Sequence, residues 1–376
     1  MAGACVAVTL CALACLTMIP GAWDHIGYDF LSFRDAATIL VTLSPRAVYE
    51  VTPTYGPTPY LPPFVLLGVP LLAFPPLVGY HLWLLLNLIV VTGVLSALTE
   101  RYRMPPMLLS GPILLSLPLL IAWGEGQATG LWLLTFFLAY RAFEQQQDLR
   151  AGLWFGVLLL KPQDVVVFAL VLLAKRRWVA LAGMAATGSS ILVTSALALG
   201  LAGLRAYLTL LGTAANFQTA MPGASVRTMP NWRGAVTNLL PGLPPTQAGA
   251  VTLVLSALTI ATLLVIWHSA WDGTSPHFAR RMLATALVNL LVSYHGHLNE
   301  AALLYVPFLA CSARWTRQRL VVVVLILVLV VPYLALVLGV PISSVTTAGA
   351  LAMVLSLALL VAQERHIGLR SAPGPS

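Results

Sequence analysis

The feature that most constrains this chain is a recurrence of unbroken apolar runs along its whole length. Each is about the roughly 17–25 residues that a helix needs to cross hydrocarbon. Runs such as "LVVVVLILVLVV" (320–331) show no polar/apolar alternation, so they read as helices rather than strands of a transmembrane barrel. In lipid only those two solutions satisfy the backbone. The chain is 59% hydrophobic and 9% charged, against about 45–50% and about 25% for a soluble domain. An all-α polytopic membrane protein follows, as one integral membrane domain over 1–376.

The expected spans are 3–20, 77–99, 105–122, 128–141, a pair within 151–174, 178–200, 247–268, 280–293, 298–312, 319–337 and 345–362. That makes about 12 membrane helices, counting a short re-entrant pair. No Lys or Arg precedes Arg34, so the basic start of a signal peptide is missing and 3–20 reads as a retained span. Cys5, Cys11, Cys15 and Cys311 lack CxxC spacing and read as packing residues. The segment "LPPFVLLGVPLLAFPP" (61–76), rich in proline, suits a piece that lies on or dips into the membrane.

Orientation follows from the basic residues. If 61–76 does not cross and the N-terminus is cytoplasmic, the inner loops hold Arg101, Arg103, Arg141, Arg150, Lys175, Arg176, Arg177, Arg280, Arg281, Arg314, Arg317, Arg319, Arg365 and Arg370. The outer side keeps only Arg34, Arg46, Arg205, Arg227 and Arg233. A crossing at 61–76 would reverse most of this bias. The net charge of +8 is therefore scattered in twos and threes, which argues against nucleic-acid binding. Two long segments face outward, 21–76 and 202–246. The inner loops are short and hold no Gly-rich phosphate loop, so the chemistry is expected on the periplasmic or exterior face of the plasma (inner) membrane.

Outward polar residues gather in five places: Asp24, His25, Asp29 and Asp35; Glu125 and Gln127; Lys161, Gln163 and Asp164; Asn231 and Arg233; and His295, His297, Asn299 and Glu300. Lys161 lies in a 24-residue apolar stretch (151–174) and precedes Pro162. An intramembrane Lys costs several kcal/mol unless paired or hydrated, and proline breaks a helix. With basic flanks on both sides, 151–174 reads as two short helices entering from the cytoplasm, with Lys161 at a tip in a polar cavity. The bland alternative is one bent span with Lys161 buried against an acid. Asp29 has its own bland alternative, the N-cap of a helix from Phe30 to about Val41, with Arg34 and Asp35 on that helix's solvated face. "HGH" (295–297) with Glu300 suits hydrogen bonding or phosphate binding; a divalent metal there is a minor alternative, and otherwise no cofactor is expected.

An early "DF…AA", "YLPPFVLLGVPLLAFPP", "GQ" opening a span, "LLLKPQ", "NWRG" and a late His-x-His come in an order that resembles glycosyltransferase family 87, over about residues 20–310. The resemblance implies the GT-C fold, with a juxtamembrane helix after the first span. It also implies transfer of a sugar, usually mannose, from a polyprenyl-phosphate carrier to a lipid or glycan acceptor on the outer face. Asp29 falls on the family's catalytic aspartate, Lys161 and Pro162 on its Lys-Pro motif, and His295 and His297 on its late His motif. "NWRG" keeps Asn231, Arg233 and Gly234 at tighter spacing than the family pattern. Glu125 stands next to Gly126, and Thr129 replaces a common Asn, which puts the second carboxylate in doubt.

Direct displacement at an anomeric carbon needs a base for the acceptor hydroxyl and cations or donors for the departing phosphate. Asp29 is the candidate base and inversion the expected outcome. A retaining route would need a second carboxylate, Glu125 or Asp35. Arg233, Lys161, His295 and His297 are candidates for the donor phosphate. Asp35, Glu125, Gln127, Asn231 and Glu300 are candidates for substrate binding. The rival reading is a transporter or lipid flippase, which calls for interrupted helices in both halves; only one Lys-Pro interruption is visible.

Overall fold

A computed structural model describes residues 27–50, 60–104, 113–114, 116–217, 226–312 and 331–370. The expected first span (3–20), Asp24, His25 and most of 319–337 lie outside them. Every described element is helical. The α-helices of eight or more residues are α1 (Tyr28–Thr42), α2 (Pro76–Arg101), α3 (Leu117–Glu125), α4 (Thr129–Glu144), α5 (Asp148–Val157), α6 (Val166–Ala174), α7 (Trp178–Phe217), α8 (Trp232–Leu239), α9 (Pro245–Ile266), α10 (Phe278–Val292), α11 (Tyr305–Ser312) and α12 (Ile342–Arg370). One hydrophobic cluster draws residues from Phe30 in α1 to Leu357 in α12.

Four described helical stretches are long and apolar enough to cross a membrane: Pro76–Arg101, Trp178–Leu210, Pro245–Ile266 and Ile342–Ala362. The expected spans at 128–141 and 280–293 appear as α4, of 16 residues, and α10, of 15. At 1.5 Å per residue each reaches little more than about 22–24 Å, short of a roughly 30 Å hydrocarbon core.

The 61–76 segment folds as one α-turn (Pro62–Val65) running into a 3-10 helix (Leu66–Ala73) that contains Pro70. Its twelve helical residues extend roughly 22 Å, too short to cross as a straight helix. It packs on α1 instead: the Phe33 and Phe64 rings lie 5.0 Å apart. Arg34 Nη1 donates to the Leu71 carbonyl at 2.7 Å, so Arg34 ties the two pieces together rather than sitting on a solvated face.

The 151–174 region is a hairpin of two short helices. At its base Arg177 pairs with Asp148, which brings the end of α6 back to the start of α5. Midway, Phe155 and Phe168 pack at 5.3 Å. Residues 158–165 form the tip, two short 3-10 turns joined at Lys161 with φ −134°. Helix α5 lies almost backbone to backbone on α7, since a Cβ at Gly152 would come within 1.9 Å of the Ala180 carbonyl oxygen. Small residues at such crossings are the usual route to close packing in membranes.

Among the described residues, several loops assigned to the inner side meet at one end of the bundle. Tyr102 donates to Glu144 at 2.8 Å, Lys175 to the Ser269 carbonyl at 2.6 Å, and Arg177 lies 5.6 Å from the Trp271 ring. At the opposite end Gly27 N–H meets the Gly124 carbonyl at 2.6 Å and Asn231 meets the Ser293 carbonyl at 2.9 Å. There α7 is broken at Gly200, with φ 64° and ψ 179°. Arg46 Nε donates 3.0 Å to the Leu199 carbonyl at that break, and Tyr49 packs edge-on against Tyr207 at 5.2 Å.

Candidate active site

Asp29 stands in the first turn of α1, where a carboxylate is favoured by the helix dipole. It is not the N-cap: that position is Gly27, at φ 71° and without a side-chain cap. The turn after α3 is pressed onto α1. Gly126 adopts φ +77°, and a Cβ there would come 2.5 Å from Phe30 Cβ. Trp83 Nε1 holds the Gly126 carbonyl at 2.8 Å and Tyr80 the Trp123 carbonyl at 2.7 Å. This docking aims Gln127 Nε2 at Asp29 Oδ2, to which it donates. Gln127 also reaches Glu125, so one amide links two carboxyls.

Lys161, at the hairpin tip, points to the same place. Its ammonium lies 2.9 Å from Glu300 Oε1 and 3.9 Å from Asp164 Oδ2. All three side chains are buried, Lys161 at 6% exposure. The sequence's bland alternative for this lysine, burial against an acid, is therefore met, but at the tip of a hairpin. The lysine charge also acts on Asp29, Glu125, Tyr60 and His297, which places five elements around one centre.

His295 and His297 approach through their Nε2 atoms at 3.2 Å with rings nearly perpendicular. Arg233 stacks over the Tyr294 ring at 4.1 Å and donates to the Tyr294 carbonyl at 3.3 Å, and its charge reaches His295. Asn231 is fully buried; its Oδ1 caps α8 by accepting from Gly234 N–H at 2.9 Å, and its Nδ2 donates to the Ser293 carbonyl. Asn231 thus holds the start of α8, two residues before Arg233, against the Ser293 carbonyl. Asp35 lies six residues after Asp29, about 120° around α1, so the two carboxylates do not share one face of that helix.

The groups form two layers. Asp29, Glu125, Gln127, His295, His297 and Arg233 keep partial exposure, whereas Lys161, Asp164 and Glu300 are buried beneath them. Burial pushes the Asp29 carboxyl up to about 6, against the opposing pull of Lys161 and the Gln127 hydrogen bond. Burial, and then the Asp29 charge, takes Glu125 up to about 8. Burial lowers both histidines to about 4, with each neighbouring positive charge adding to the effect. At neutral pH the histidines are therefore hydrogen-bonding groups without charge. Among the described residues no three His, Cys, Asp or Glu side chains converge as a metal-binding group.

Residues 58–293 match glycosyltransferase family 87, well over half of the chain. The chain belongs to glycosyltransferase family 87. It is a membrane glycosyltransferase, in agreement with the motif order in the sequence, and the transporter reading falls away. Comparison with curated proteins and with solved structures gave no significant match. The family match takes in Glu125, Gln127, Lys161, Asn231 and Arg233 but stops short of Asp29, Asp35, His295, His297 and Glu300.

Sequence reasoning missed three residues of this glycosyltransferase. Asn289 on α10 clamps the hairpin tip: its Nδ2 donates to the Gln163 carbonyl at 2.9 Å and its Oδ1 accepts from Val167 N–H at 3.2 Å. It replaces backbone bonds lost where the helix is broken. Asn87 on α2 does the same for α4, accepting from Gly130 N–H at 3.0 Å. Both are lone amides in apolar helices, a costly placement that signals a partner. Tyr60 packs on Phe64 at 4.3 Å with its hydroxyl in the field of Lys161, Asp29, Asp164 and Glu300; no local signal marks it.

Proposed function

We propose that this protein moves a sugar, mannose first among the candidates, from a polyprenyl-phosphate carrier to a lipid or glycan acceptor at the outer face of the plasma membrane. The observation that carries the reading is the partly exposed Asp29 carboxyl, held by Gln127, with Lys161 acting both on it and on the His295–His297 pair, which Arg233 also reaches. In sequence the loops assigned to the inner side are short and hold no Gly-rich phosphate loop, whereas a lipid tail delivers an activated glycosyl phosphate within the bilayer. The apolar 61–76 segment beside α1 is the proposed wall for that tail.

In the proposed step Asp29 accepts the proton of an acceptor hydroxyl. The freed oxygen attacks the anomeric carbon, and the bond from that carbon to the phosphate oxygen breaks with its electron pair leaving on the phosphate. Arg233 supplies charge-assisted hydrogen bonds to that phosphate, and the neutral histidines supply ring N–H donors. A single displacement inverts the anomeric centre. Glu125, pushed towards its neutral form by burial, lacks the charge a retaining nucleophile needs.

The test is transfer from radiolabelled polyprenyl-phosphate mannose in membranes holding wild type or Asp29→Asn. We expect a new glycoside with wild type and none with the variant, at equal folded protein in detergent. Near-normal transfer by Asp29→Asn would remove Asp29 as the base. Label appearing with another lipid-linked sugar only would correct the sugar and leave the mechanism standing.

A further inference from the structure

We infer that the C-terminal helix α12 is part of the working site: through Asn238 it sets the tilt of α8 and so the aim of Arg233, which makes Asn238 a positioning residue. The inference rests on the phosphate role proposed for Arg233. It extends that role to a helix the family match, ending at residue 293, does not reach.

Helix α8 has eight residues, too few to hold a helical form or a direction without tertiary contacts. Asn231, Gly234, Ala235 and Asn238 stand at i, i+3, i+4 and i+7, the spacing of one helical stripe. At the start of α8, Asn231 bonds to the Ser293 carbonyl that ends α10. Trp232 Nε1 donates there to Thr259 Oγ1 of α9 at 2.9 Å. Midway, Ala235 joins a buried cluster with Leu287 and Leu291 of α10 and Ala350 and Met353 of α12.

The polar tie at the far end is Asn238. Its Nδ2 reaches the Arg227 carbonyl and the Thr347 hydroxyl at 2.9 Å each, and the Ser343 carbonyl at 3.2 Å. Thr346 and Thr347 are both buried in α12, and Thr346 donates to the same Arg227 carbonyl at 3.0 Å. Asn238 Oδ1 is buried without a hydrogen-bond partner among the described residues, so the tie runs through the amide N–H groups alone.

Arg233 lies about 200° around the helix from Asn231, on the face opposite the stripe, and stays partly exposed. Its seat, the Tyr294 ring and carbonyl, continues from α10. The tie at Asn238 is about 10 Å along the axis from the start of α8. If that end moves by about 2 Å, the helix tilts by roughly 10°, and a group about 6 Å off the axis moves by about 1 Å. Displacement on that scale is enough to spoil a positioned contact.

The variants are expected to fold, because both backbone acceptors keep another donor: Thr346 on Arg227 and Thr347 on Ser343. The experiment measures KM and kcat in nanodiscs with radiolabelled polyprenyl-phosphate mannose as donor. Asn238→Leu, near in volume but without a donor group, should raise donor KM about tenfold and leave acceptor KM within about twofold. Thr347→Val should raise donor KM about threefold, and Thr347→Ser, which keeps the hydroxyl, should restore it. Adding Asn238→Leu to Arg233→Ala should change donor KM by less than about twofold, since the effect passes through the arginine. Asn238→Ala is the second variant should leucine prevent folding. A wild-type donor KM in both Asn238 variants overturns the inference. So does an equal factor with and without Arg233, which would make Asn238 a structural residue only. Hydrogen exchange of the α8 amides, which needs no substrate, should quicken in Asn238→Leu; unchanged exchange also overturns the inference. If wild type does not use the lipid-linked donor, the proposed function fails and the exchange arm still decides whether Asn238 holds α8.

Discussion

Replacing Gly126 with alanine tests the docking that aims Gln127 at Asp29. The backbone there is left-handed at φ +77°, a conformation that costs a residue with a Cβ about 1–2 kcal/mol. The added methyl would also stand 2.5 Å from Phe30 Cβ and 3.3 Å from Phe30 N. Neither neighbour is a flexible chain end, so the turn must move off α1, and overpacking of this kind costs about 1–3 kcal/mol. The combined loss is about 2–5 kcal/mol. A shift near 1 Å is expected to separate Gln127 from Asp29, and misplacement on that scale lowers turnover by about 100-fold. The assay pairs thermal unfolding in detergent with sugar transfer at saturating donor. Gly93→Ala, in α2 with nothing within 4 Å of the added methyl, is the control, expected to be neutral or slightly stabilising. If Gly126→Ala unfolds at the wild-type temperature and transfers sugar within threefold of wild type, the turn is not what positions Gln127.

Two further outcomes follow from the site. The rate kcat/KM is expected to rise with pH along a limb centred near 6, because burial lifts the Asp29 carboxyl to about that value and only its ionised form accepts a proton; a flat profile between pH 5 and 7.5 would count against Asp29. Arg233→Lys keeps the charge but loses the planar fork and its stacking on Tyr294, so donor KM should rise about tenfold, or about 1.4 kcal/mol, while an unchanged KM would move the phosphate elsewhere.

Much of this architecture was legible in the chain because membranes enforce strong rules. The arginine pattern groups several loops, and those near Tyr102, Glu144, Lys175 and Trp271 meet at one end of the described bundle; the Lys-Pro pair falls where α5 and α6 part. What the sequence could not show is how polar groups pair across long separations. Asn231 adjoins Arg233 in its motif, but its bonds to Gly234 N–H and the Ser293 carbonyl appear only in the fold. Lys161 and Asp164 stand in one motif, but the closer acid, Glu300, belongs to a distant one and only the fold brings it to 2.9 Å. Asp29 and Asp35 looked like one patch, but a helical period turns them apart. Gly27 rather than Asp29 caps α1, since the docked Gly124 carbonyl takes the Gly27 N–H, and such a tertiary contact leaves no trace in local sequence.

The break in α7 at Gly200 has a mechanical consequence. Arg46, from the first outer segment, is fastened to the Leu199 carbonyl, and Tyr49 to Tyr207 beyond the kink. The segment that carries Asp29 is thereby buckled to α7 on both sides of its kink. Arg46 grips the turn before the break and Tyr49 the turn after it, so a pivot of the outer half of α7 about Gly200 would pull on that segment.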